Sequence, residues 1–273
     1  MEGWIETRID NLGKVVTGNT PPKKDPRNFG GPYPFIKPTD MVIDKRYVDH
    51  WDEEYSEKAY KQYKNSYIPP RATGVVTIGT VGEKLFQTKQ YCFTNQSVNV
   101  VIPNTDRYDA DFIYYLLKIN LPKVENANPG TASGRHHVSK SNFCAIKVTL
   151  PESIENQNRI ANILSSYDDL IENNLKRIKL LEEMAQNEFN NWYSNNEDFE
   201  EAKLGSIISH EIGGGWGAEE RSEEFNKPAY VIRGTDIDEL PNGKLEKVPF
   251  RFHKKSNLAS RKLQDGDIIF EVS

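Results

Sequence analysis

The chain has 273 residues, of which 37% are hydrophobic and 27% charged, and its formal net charge is only −5. This composition, with a mean hydropathy of −0.69, excludes collagen-like and disordered chains, and the length suits one large domain or two ordinary domains of about 100–200 residues each. No apolar run approaches the roughly 18 residues of a membrane-spanning helix, and the first residues lack a secretory signal, so we expect a cytoplasmic protein without membrane contact.

The first part of the chain, up to Leu150, shows the pattern of short strands. Apolar runs rich in Val and Ile are separated by turn residues, which predicts strands. Two further stretches have the apolar spacing of a helix. The predicted strands cover Pro34–Ile36, Gly74–Ile78, Ser97–Ile102 and Cys144–Leu150, and the predicted helices cover Glu54–Tyr63 and Tyr108–Ile119. Together these elements indicate an α+β domain.

A different period begins at Ile154 and continues to Trp192, with apolar residues at alternating steps of four and three. This is the heptad pattern of a coiled-coil helix, and Ser153 is its predicted N-cap. The seam consists of Ile160, Leu164, Tyr167, Ile171, Asn174, Ile178, Leu181 and Ala185. The polar Asn174 either fixes the register of a helix pair or is solvated. At 1.5 Å per residue, ~39 residues form a rod of roughly 58 Å, whose apolar face requires a partner.

Three segments of the first part recur after this helix, in the same order and at offsets of 192 to 196 residues. Residues 12–15 match 204–207, residues 35–41 match 231–237, and residues 75–78 match 268–271. One match would be chance, but three in order predict a duplicated domain. The second copy reaches Ser273 at the position of Thr80 in the first copy, so we expect a fragment or a naturally shortened protein.

Charge is unevenly distributed along the chain. Residues 152–201 contain twelve acidic and four basic side chains, a net charge of −8, so the remainder carries +3. Residues 14–37 contain only one acid, Asp25, and residues 126–150 contain none. The basic residues of these two segments are Lys14, Lys23, Lys24, Arg27, Lys37, Arg135, Lys140 and Lys147. They are candidate phosphate contacts, with ordinary solvated side chains as the alternative.

The sequence contains no convincing catalytic or cofactor motif. Residues 79–84 lack the spacing of a P-loop, and residues 213–217 lack that of a dinucleotide-binding turn. His136 and His137 are adjacent, so in a strand they point to opposite faces and do not share one metal ion. The two cysteines have no CxxC spacing and lie in strand-like stretches, which predicts buried thiols rather than a metal site or a disulfide.

The motifs around the start of the long helix resemble those of a known family. A polar Ser-Gly loop in residues 129–139 precedes a strand that ends at Leu150-Pro151, and Glu-Asn-Gln-Asn-Arg-Ile-Ala-Asn-Ile-Leu follows at residues 155–164. This order is similar to that of the specificity subunit of type I restriction–modification systems, from which Asn156 departs by one inserted residue. Residues 17–21, 36–41 and 95–97 also resemble recurrent pieces of the family's target-recognition domain.

The resemblance implies an α+β architecture of two target-recognition domains, each reading half of a split site in double-stranded DNA, with two long antiparallel helices between them. It implies a subunit without an active site or a cofactor. Modification subunits that bind S-adenosylmethionine methylate adenine, and restriction subunits that use ATP and Mg translocate and cleave DNA. The chain would then comprise a first target-recognition domain at 1–151, a spacer helix at 152–196, and a partial second recognition domain at 197–273. Another copy of the chain, or a modification subunit, would cover the seam.

Candidate DNA contacts follow from residue chemistry, because Lys and Arg bind phosphates and polar side chains read base edges. The expected phosphate contacts are Lys23, Lys24, Arg27 and Lys84, and the expected base contacts are Lys37, Thr39, Thr80, Arg135, His136 and His137. Two alternatives stay open. One is a metal-dependent nuclease that uses Arg135 and His136, and the other is a coiled-coil interaction protein without DNA specificity.

Overall fold

The computed structural model describes residues 3–128, 136–196, 199–242, 245 and 247–271. The chain divides into two compact units, Met1–Phe189 and Asn190–Ser273. Across the described ranges, no helix is both long and apolar enough to cross a membrane.

A four-stranded antiparallel sheet forms the centre of the first unit. Its strands are, in order across the sheet, β2 (Gly13–Thr17), β8 (Val98–Pro103), β5 (Thr73–Val76) and β6 (Leu85–Gln87). All residues of β5 and β6 and the first four of β8 are buried. Their apolar runs are typical of strands covered on both faces, which confirms the strands predicted at 74–78 and 97–102.

A second sheet and a strand pair complete the β structure of this unit. In the second sheet, β3 (Phe29–Ile36) lies between β4 (Glu53–Tyr55), which is antiparallel to it, and β7 (Phe93–Thr94), which is parallel. The strand pair consists of β1 (Trp4–Arg8) and β9 (Lys147–Pro151), which are antiparallel. The first and last strands of this region are therefore neighbours, and the chain passes from β9 into the long helix.

Helix α2 (Ala110–Ile119) supplies much of the core that packs on the large sheet. It begins where the side chain of Asp109 accepts a hydrogen bond from the N–H of Phe112 at 2.7 Å, a normal N-cap. All its residues from Phe112 to Leu117 are buried, so the predicted helix is confirmed. The other short helices of the unit are α1 Glu57–Tyr63, α3 Leu121–Asn126 and α4 Lys140–Ala145.

The long helix α5 extends from Ile154 to Ser194, which confirms the helix predicted from the heptad pattern. The Oγ of Ser153 accepts a hydrogen bond from the N–H of Asn156 at 3.4 Å, in agreement with the predicted N-cap. Only Gln157 and Ala161 are buried among the described side chains of this helix. The seam residues from Leu164 to Ala185 are exposed, with the exposed fraction 38% at Leu164 and 60% at Leu181.

The second unit contains a β-hairpin whose register repeats that of the first unit. Strands β10 (Lys227–Tyr230) and β11 (Phe250–His253) are antiparallel, and the unit also contains helices α6 (Leu204–Ile207) and α7 (Lys255–Arg261). In the first unit Pro34 pairs with Glu54, and 196 residues later Tyr230 pairs with Phe250. Each hairpin is followed at once by a short helix, α1 or α7.

The turn that follows the first strand of each hairpin is also repeated. The N–H of Lys37 donates to Oδ2 of Asp40 at 2.7 Å, and the N–H of Arg233 donates to Oδ2 of Asp236 at 2.9 Å. Both pairs lie at the offset of 196 residues, within the matched segments 35–41 and 231–237. The aspartate therefore closes the same local turn in both copies.

The other two repeated segments adopt different structures in the two copies. Residues 13–17 form β2 and residues 73–76 form β5, whereas residues 204–207 form the helix α6 and residues 268–271 are not in a strand. In the first copy both strands pair with β8. Within the described part of the second unit no third strand offers such a partner. An unpaired strand leaves its N–H and C=O groups without hydrogen bonds.

Two predicted boundaries differ from the structure. Residues 144 and 145 belong to helix α4, so the predicted strand from Cys144 begins at Lys147 as β9. The predicted helix from Glu54 begins at Glu57, because Glu54 and Tyr55 pair with β3 as part of β4. Pairing with a distant strand overrides the local pattern at Glu54 and Tyr55, whereas residues 144 and 145 lie in the last turn of a helix that is N-capped by Ser139.

The two cysteines differ in burial, which gives a first testable prediction. Cys92 is fully buried, and burial raises its pKa to about 12, whereas Cys144 is half-buried. Since only thiolates react quickly with disulfide reagents, we expect one thiol per chain to react with Ellman's reagent at pH 8 in native buffer. Both should react in denaturant, where the Cys92 pKa returns to its ordinary value.

The variant Cys144→Ser is the control for this assignment, and it should leave no rapidly reacting thiol in the native protein. Rapid reaction of that variant would contradict the buried position of Cys92.

Candidate nucleic-acid interface

The strand directions bring several loops to one edge of the first unit. Strand β8 is antiparallel to β2 and β5, so the loops after β2 and β5 lie beside the start of β8. Strands β3 and β7 are parallel and end together, with Ile36 opposite Thr94. Backbone hydrogen bonds connect the loops, from the N–H of Thr77 to the oxygen of Ser97 at 2.8 Å and from the N–H of Asn19 to the oxygen of Thr94 at 2.9 Å.

The segment after α3 joins the same edge. The N–H of Gly79 donates to the oxygen of His136 at 3.0 Å, and the N–H of Val138 donates to the oxygen of Thr77 at 2.8 Å. Ile78 and His137 form an isolated β-bridge. We use the name loop edge for residues 18–20, 37–40, 77–84, 95–97 and 136–138 together.

The loop edge contains most of the predicted base contacts. Thr39, Thr80, His136 and His137 are exposed on it. The half-buried Lys84 belongs to it as well, because its Nζ donates to the backbone oxygen of Pro38 at 3.1 Å, beside Thr39. Residues that are distant in the sequence therefore present hydroxyl, imidazole and ammonium groups side by side.

Two polar residues of the loop edge were absent from the predicted set. The side chain of Gln96 is exposed, and its Oε1 accepts a hydrogen bond from the hydroxyl of Thr20 at 2.5 Å. Both residues lie in short polar segments next to strands, and that position was the available signal. The pairing of β2 with β8 is what places the two segments together.

A second group of predicted contacts is compensated by acids. The Nζ of Lys37 lies 3.1 Å from Oε1 of Glu53, and the Nζ of Lys23 lies 3.4 Å from the same oxygen. The guanidinium of Arg27 forms two hydrogen bonds with Asp25, at 2.8 and 3.1 Å. Lys37 is mostly buried by these contacts, with only 17% of its side chain exposed. Its ammonium group therefore faces a carboxylate in this structure.

These ion pairs shift the carboxylate pKa values in the expected direction. Hydrogen bonds from Arg27 and Lys58 lower the pKa of Asp25. Partial burial pushes the pKa of Glu53 upward, but the ammonium groups of Lys37 and Lys23 outweigh burial and lower it. Both carboxylates therefore stay charged at neutral pH, and each offsets part of the charge of two neighbouring cations.

Lys24 differs from its neighbours in this group. It is exposed, and it forms no ion pair with any residue that the structure describes. Of the predicted phosphate contacts in residues 23–27, it is the one whose charge is not compensated. Arg135, the remaining predicted base contact, lies outside the described residues.

The described residues contain no cluster of three or more His, Cys, Asp or Glu side chains that could bind a metal ion. His136 and His137 are both exposed, and the backbone N–H of His137 donates a hydrogen bond to Oδ1 of Asn128 at 3.3 Å.

The seam residues lie on α5, distant in the sequence from the loop edge, and they form an apolar stripe along that helix.

Comparisons with known proteins agree on one family. A family model described as the type I restriction modification DNA specificity domain matches residues 1–183. The type I restriction enzyme MjaIX specificity subunit of Methanocaldococcus jannaschii is 29% identical over 216 residues, which cover 78% of this chain and 49% of that protein. The HindI specificity subunit of Haemophilus influenzae is 26% identical over 183 residues, which cover 66% of this chain and 39% of that protein.

One solved structure has a similar fold. The S subunit of a type I restriction–modification system from M. genitalium has a TM-score of 0.55 and 21% identity, and the match covers 82% of this chain and 58% of that chain. The chain spans about half the length of the curated relatives that it matches, 49% of the first and 39% of the second.

The loop edge depends on two glycines with positive φ, and they make a matched pair for a stability test. Gly79 has a φ of 91°, and a Cβ added there would meet no other atom within 4 Å. Gly82 has a φ of 79°, and a Cβ added there would lie only 2.7 Å from Cβ of Glu125. We expect Gly79→Ala to lower the free energy of unfolding by about 1–2 kcal/mol through backbone strain alone. Gly82→Ala adds a steric clash, so we expect a loss of about 2–4 kcal/mol.

Urea denaturation followed by circular dichroism measures both losses. Equal losses for the two variants would contradict the packing of residues 79–84 against α3.

Proposed function

The chain belongs to the family of type I restriction–modification DNA specificity domains, and from that membership we propose that its first unit reads a short sequence of double-stranded DNA through the loop edge. DNA sequence recognition is the role of this family. The observation that carries the assignment to the loop edge is the convergence of five loops with exposed polar side chains at one end of two sheets. Loops held on a rigid sheet are well suited to place side chains against base edges.

The chemistry of the loop edge supports direct readout. Threonine hydroxyls, the Gln96 amide and the two imidazoles both donate and accept hydrogen bonds, and base edges in the major groove present both kinds of group. Lys84 adds a cation beside Thr39. Of the residues at 23–27, Lys24 is the best phosphate contact, since its charge is free of a carboxylate partner within the described chain.

Catalysis is assigned to other subunits in this proposal. The chain would be a non-catalytic recognition component without a cofactor of its own, and modification subunits with S-adenosylmethionine would methylate adenine. Restriction subunits with ATP and Mg would translocate and cleave the DNA. The family membership supports this division of labour. It makes the metal-dependent nuclease with Arg135 and His136 the weaker alternative.

We also propose the domain division of residues 1–151, 152–196 and 197–273, as a recognition domain, a spacer helix and a partial second recognition domain. The equal register of the two hairpins at an offset of 196 residues supports a common origin for the first and third segments. The aspartate-capped turns of Asp40 and Asp236 support it independently. In the third segment, Arg233 and Thr235 stand at the positions of Lys37 and Thr39.

A second copy of the chain is the proposed partner of the apolar seam. Exposed apolar residues continue along the seam through Ile171, Ile178 and Leu181, and heptad seams pair with seams of the same period. Two copies joined in this way would present two loop edges to DNA. A modification subunit on the same seam is the alternative outcome.

The first test is selection of bound duplexes from a random-sequence pool at two salt concentrations, with and without the modification subunit. We expect one short motif to be enriched, or two motifs at a fixed gap.

Gln96→Ala should relax the base preference at one position of the motif, which corresponds to a loss of about 1–3 kcal/mol of discrimination between bases. Lys24→Ala should weaken binding to all sequences equally and reduce the salt slope by about one.

Arg107→Ala is the matched control, because Arg107 is exposed on the loop that follows β8, at the opposite edge of the sheet. It should change neither the motif nor the salt dependence. Binding without any enriched motif would overturn the proposed readout and leave a phosphate-binding module. No binding under any condition would favour the interaction-protein alternative.

Seam pairing is tested by sedimentation equilibrium at micromolar concentration. We expect the chain to self-associate, and Ile178→Glu to make it monomeric, because a charge buried in an apolar seam is not solvated. Asn173→Glu, on the opposite side of α5, should leave association unchanged. A wild-type chain that is monomeric while α5 is fully formed would rule out self-pairing.

A further inference from the structure

The start of α5 is attached to the recognition domain by hydrogen bonds as well as by apolar contacts. Gln157 is fully buried, and its side chain accepts from the N–H of Asp109 at 3.0 Å and donates to the oxygen of Pro151 at 2.9 Å. Ala161 is buried in the main core. These contacts hold the first two turns, but they do not restrain the helix beyond residue 161.

A buried arginine organises the next point of attachment. Only 4% of the Arg46 side chain is exposed. Its Nε donates to Oε1 of Gln87 at 2.8 Å, and its Nη2 lies 2.6 Å from Oδ1 of Asp111. The guanidinium carbon also lies 5.1–5.3 Å from the ring centres of Tyr47, Tyr114 and Tyr115. A buried guanidinium with this many partners has one orientation.

Tyr115 connects this arginine to α5. Its hydroxyl accepts a hydrogen bond from Nη1 of Arg46 at 3.2 Å and donates to Oδ2 of Asp168 at 2.6 Å. Burial and the neighbouring carboxylate raise the pKa of Tyr115, which keeps the hydroxyl protonated as the donor. The chain of contacts from Arg46 through Tyr115 to Asp168 therefore joins the sheet loops, α2 and α5.

Lys89 forms a second connection one turn further along. Its Nζ lies 3.3 Å from Oε1 of Glu172 on α5 and 3.0 Å from Oδ1 of Asp49. It also lies over the ring of Tyr47, 4.4 Å from the ring centre. The Nζ of Lys176, which is also on α5, lies 2.7 Å from Oε1 of Glu172. Glu172 therefore has one cationic partner within the helix and one outside it.

The four attached residues lie on one line of the helix. At roughly 100° per residue, Gln157, Ala161, Asp168 and Glu172 fall within about 60° of each other. On the same count the apolar seam lies roughly 100° from this line. The attachment and the seam therefore occupy adjacent stripes, so fixing the first determines the direction in which the second points.

We propose that Tyr115 and Lys89 are positioning residues that fix the rotation and direction of α5 relative to the recognition domain, through Asp168 and Glu172. This inference rests on the proposed function, in which α5 separates two DNA readers. By fixing the direction of the seam, these contacts set the gap between the two half-sites. The half-site sequence itself depends on the loop edge and not on this network.

Hydrogen bonds suit this role better than apolar contacts. An apolar face tolerates sliding and rotation, since dispersion and burial are not directional, whereas a charge-assisted hydrogen bond requires one distance and one angle. The conservative substitution Tyr115→Phe keeps the ring and its packing and removes only the hydroxyl. Lys89→Met keeps the aliphatic chain and removes only the charge.

The test measures the freedom of α5 directly. Spin labels on Ile119→Cys, an exposed residue of α2, and Lys179→Cys, an exposed residue of α5, report one distance by pulsed electron resonance. The protein carries Cys144→Ser, and labelled chains are diluted with unlabelled ones so that only distances within a chain are seen. We expect the distance distribution to become at least about twofold wider in the double variant Tyr115→Phe, Lys89→Met, because both directional contacts are lost.

Lys176→Met is the matched control. It removes the other cation bound to Glu172, but it does not disconnect α5 from the domain. Its distribution should keep the width of the wild type. Equal widths in the double variant and the control would overturn the inference, and circular dichroism on each sample confirms that α5 is still formed.

The random-pool selection separates this inference from the proposed function. We expect the double variant to enrich the same half-site as the wild type, with several different gaps in place of one. An unchanged single gap, with the half-site retained, would overturn the positioning role alone. Failure of the wild-type chain to enrich any half-site would overturn the proposed function, and the distance measurement would still decide whether these contacts hold α5.

Discussion

The pairing of β8 with β2 on one side and β5 on the other is the constraint on which the rest of the first unit depends. It sets the large sheet, and it decides which loops share an edge. Inside the sheet a short polar ladder supports it, since Asn99 accepts a hydrogen bond from Thr17 at 2.6 Å and donates to Thr77 at 2.9 Å. Buried hydrogen bonds of this kind penalise a shifted register, because a shift leaves polar groups without partners.

Electrostatics then divides the basic residues of the first unit into two kinds. Lys23, Arg27 and Lys37 are paired with Asp25 and Glu53, which offset part of their charge, whereas Lys24 has no carboxylate partner among the described residues. The loop edge has few charges and many hydrogen-bonding groups. If the loop edge contacts DNA as proposed, its hydrogen-bonding groups would contribute to sequence discrimination more than its few charges contribute to general attraction.

The long helix has directional polar contacts on one stripe and an exposed apolar seam on the next. In its first half, Gln157, Asp168 and Glu172 make hydrogen bonds and an ion pair to other residues of the first unit. Beside these contacts, from Leu164 onward, the helix exposes the apolar seam, and burial of apolar area has little directional preference. The proposed spacer role, in which the helix positions one reader and binds a second copy, would use both kinds of contact, and they lie on adjacent stripes of the helix.

Elements with a strong local period were predictable from the sequence alone. The heptad pattern from Ile154 and the apolar face of Tyr108–Ile119 determined two helices, and the Val-rich runs determined the central strands. The duplicated segment 35–41 was also visible, because a repeat is a property of the sequence itself. These features depend on neighbours within a few residues, and such neighbours are present in the linear pattern.

The tertiary structure decided which distant residues meet. It placed Gln96 beside Thr20, directed Lys37 to Glu53, and joined Tyr115 to Asp168. No local period encodes these contacts, because each one depends on a strand register or a helix rotation that only the packed core selects. The sequence by itself therefore determined the elements and the family to which they belong, and the packing of those elements determined which residues meet at the loop edge that we propose as the site.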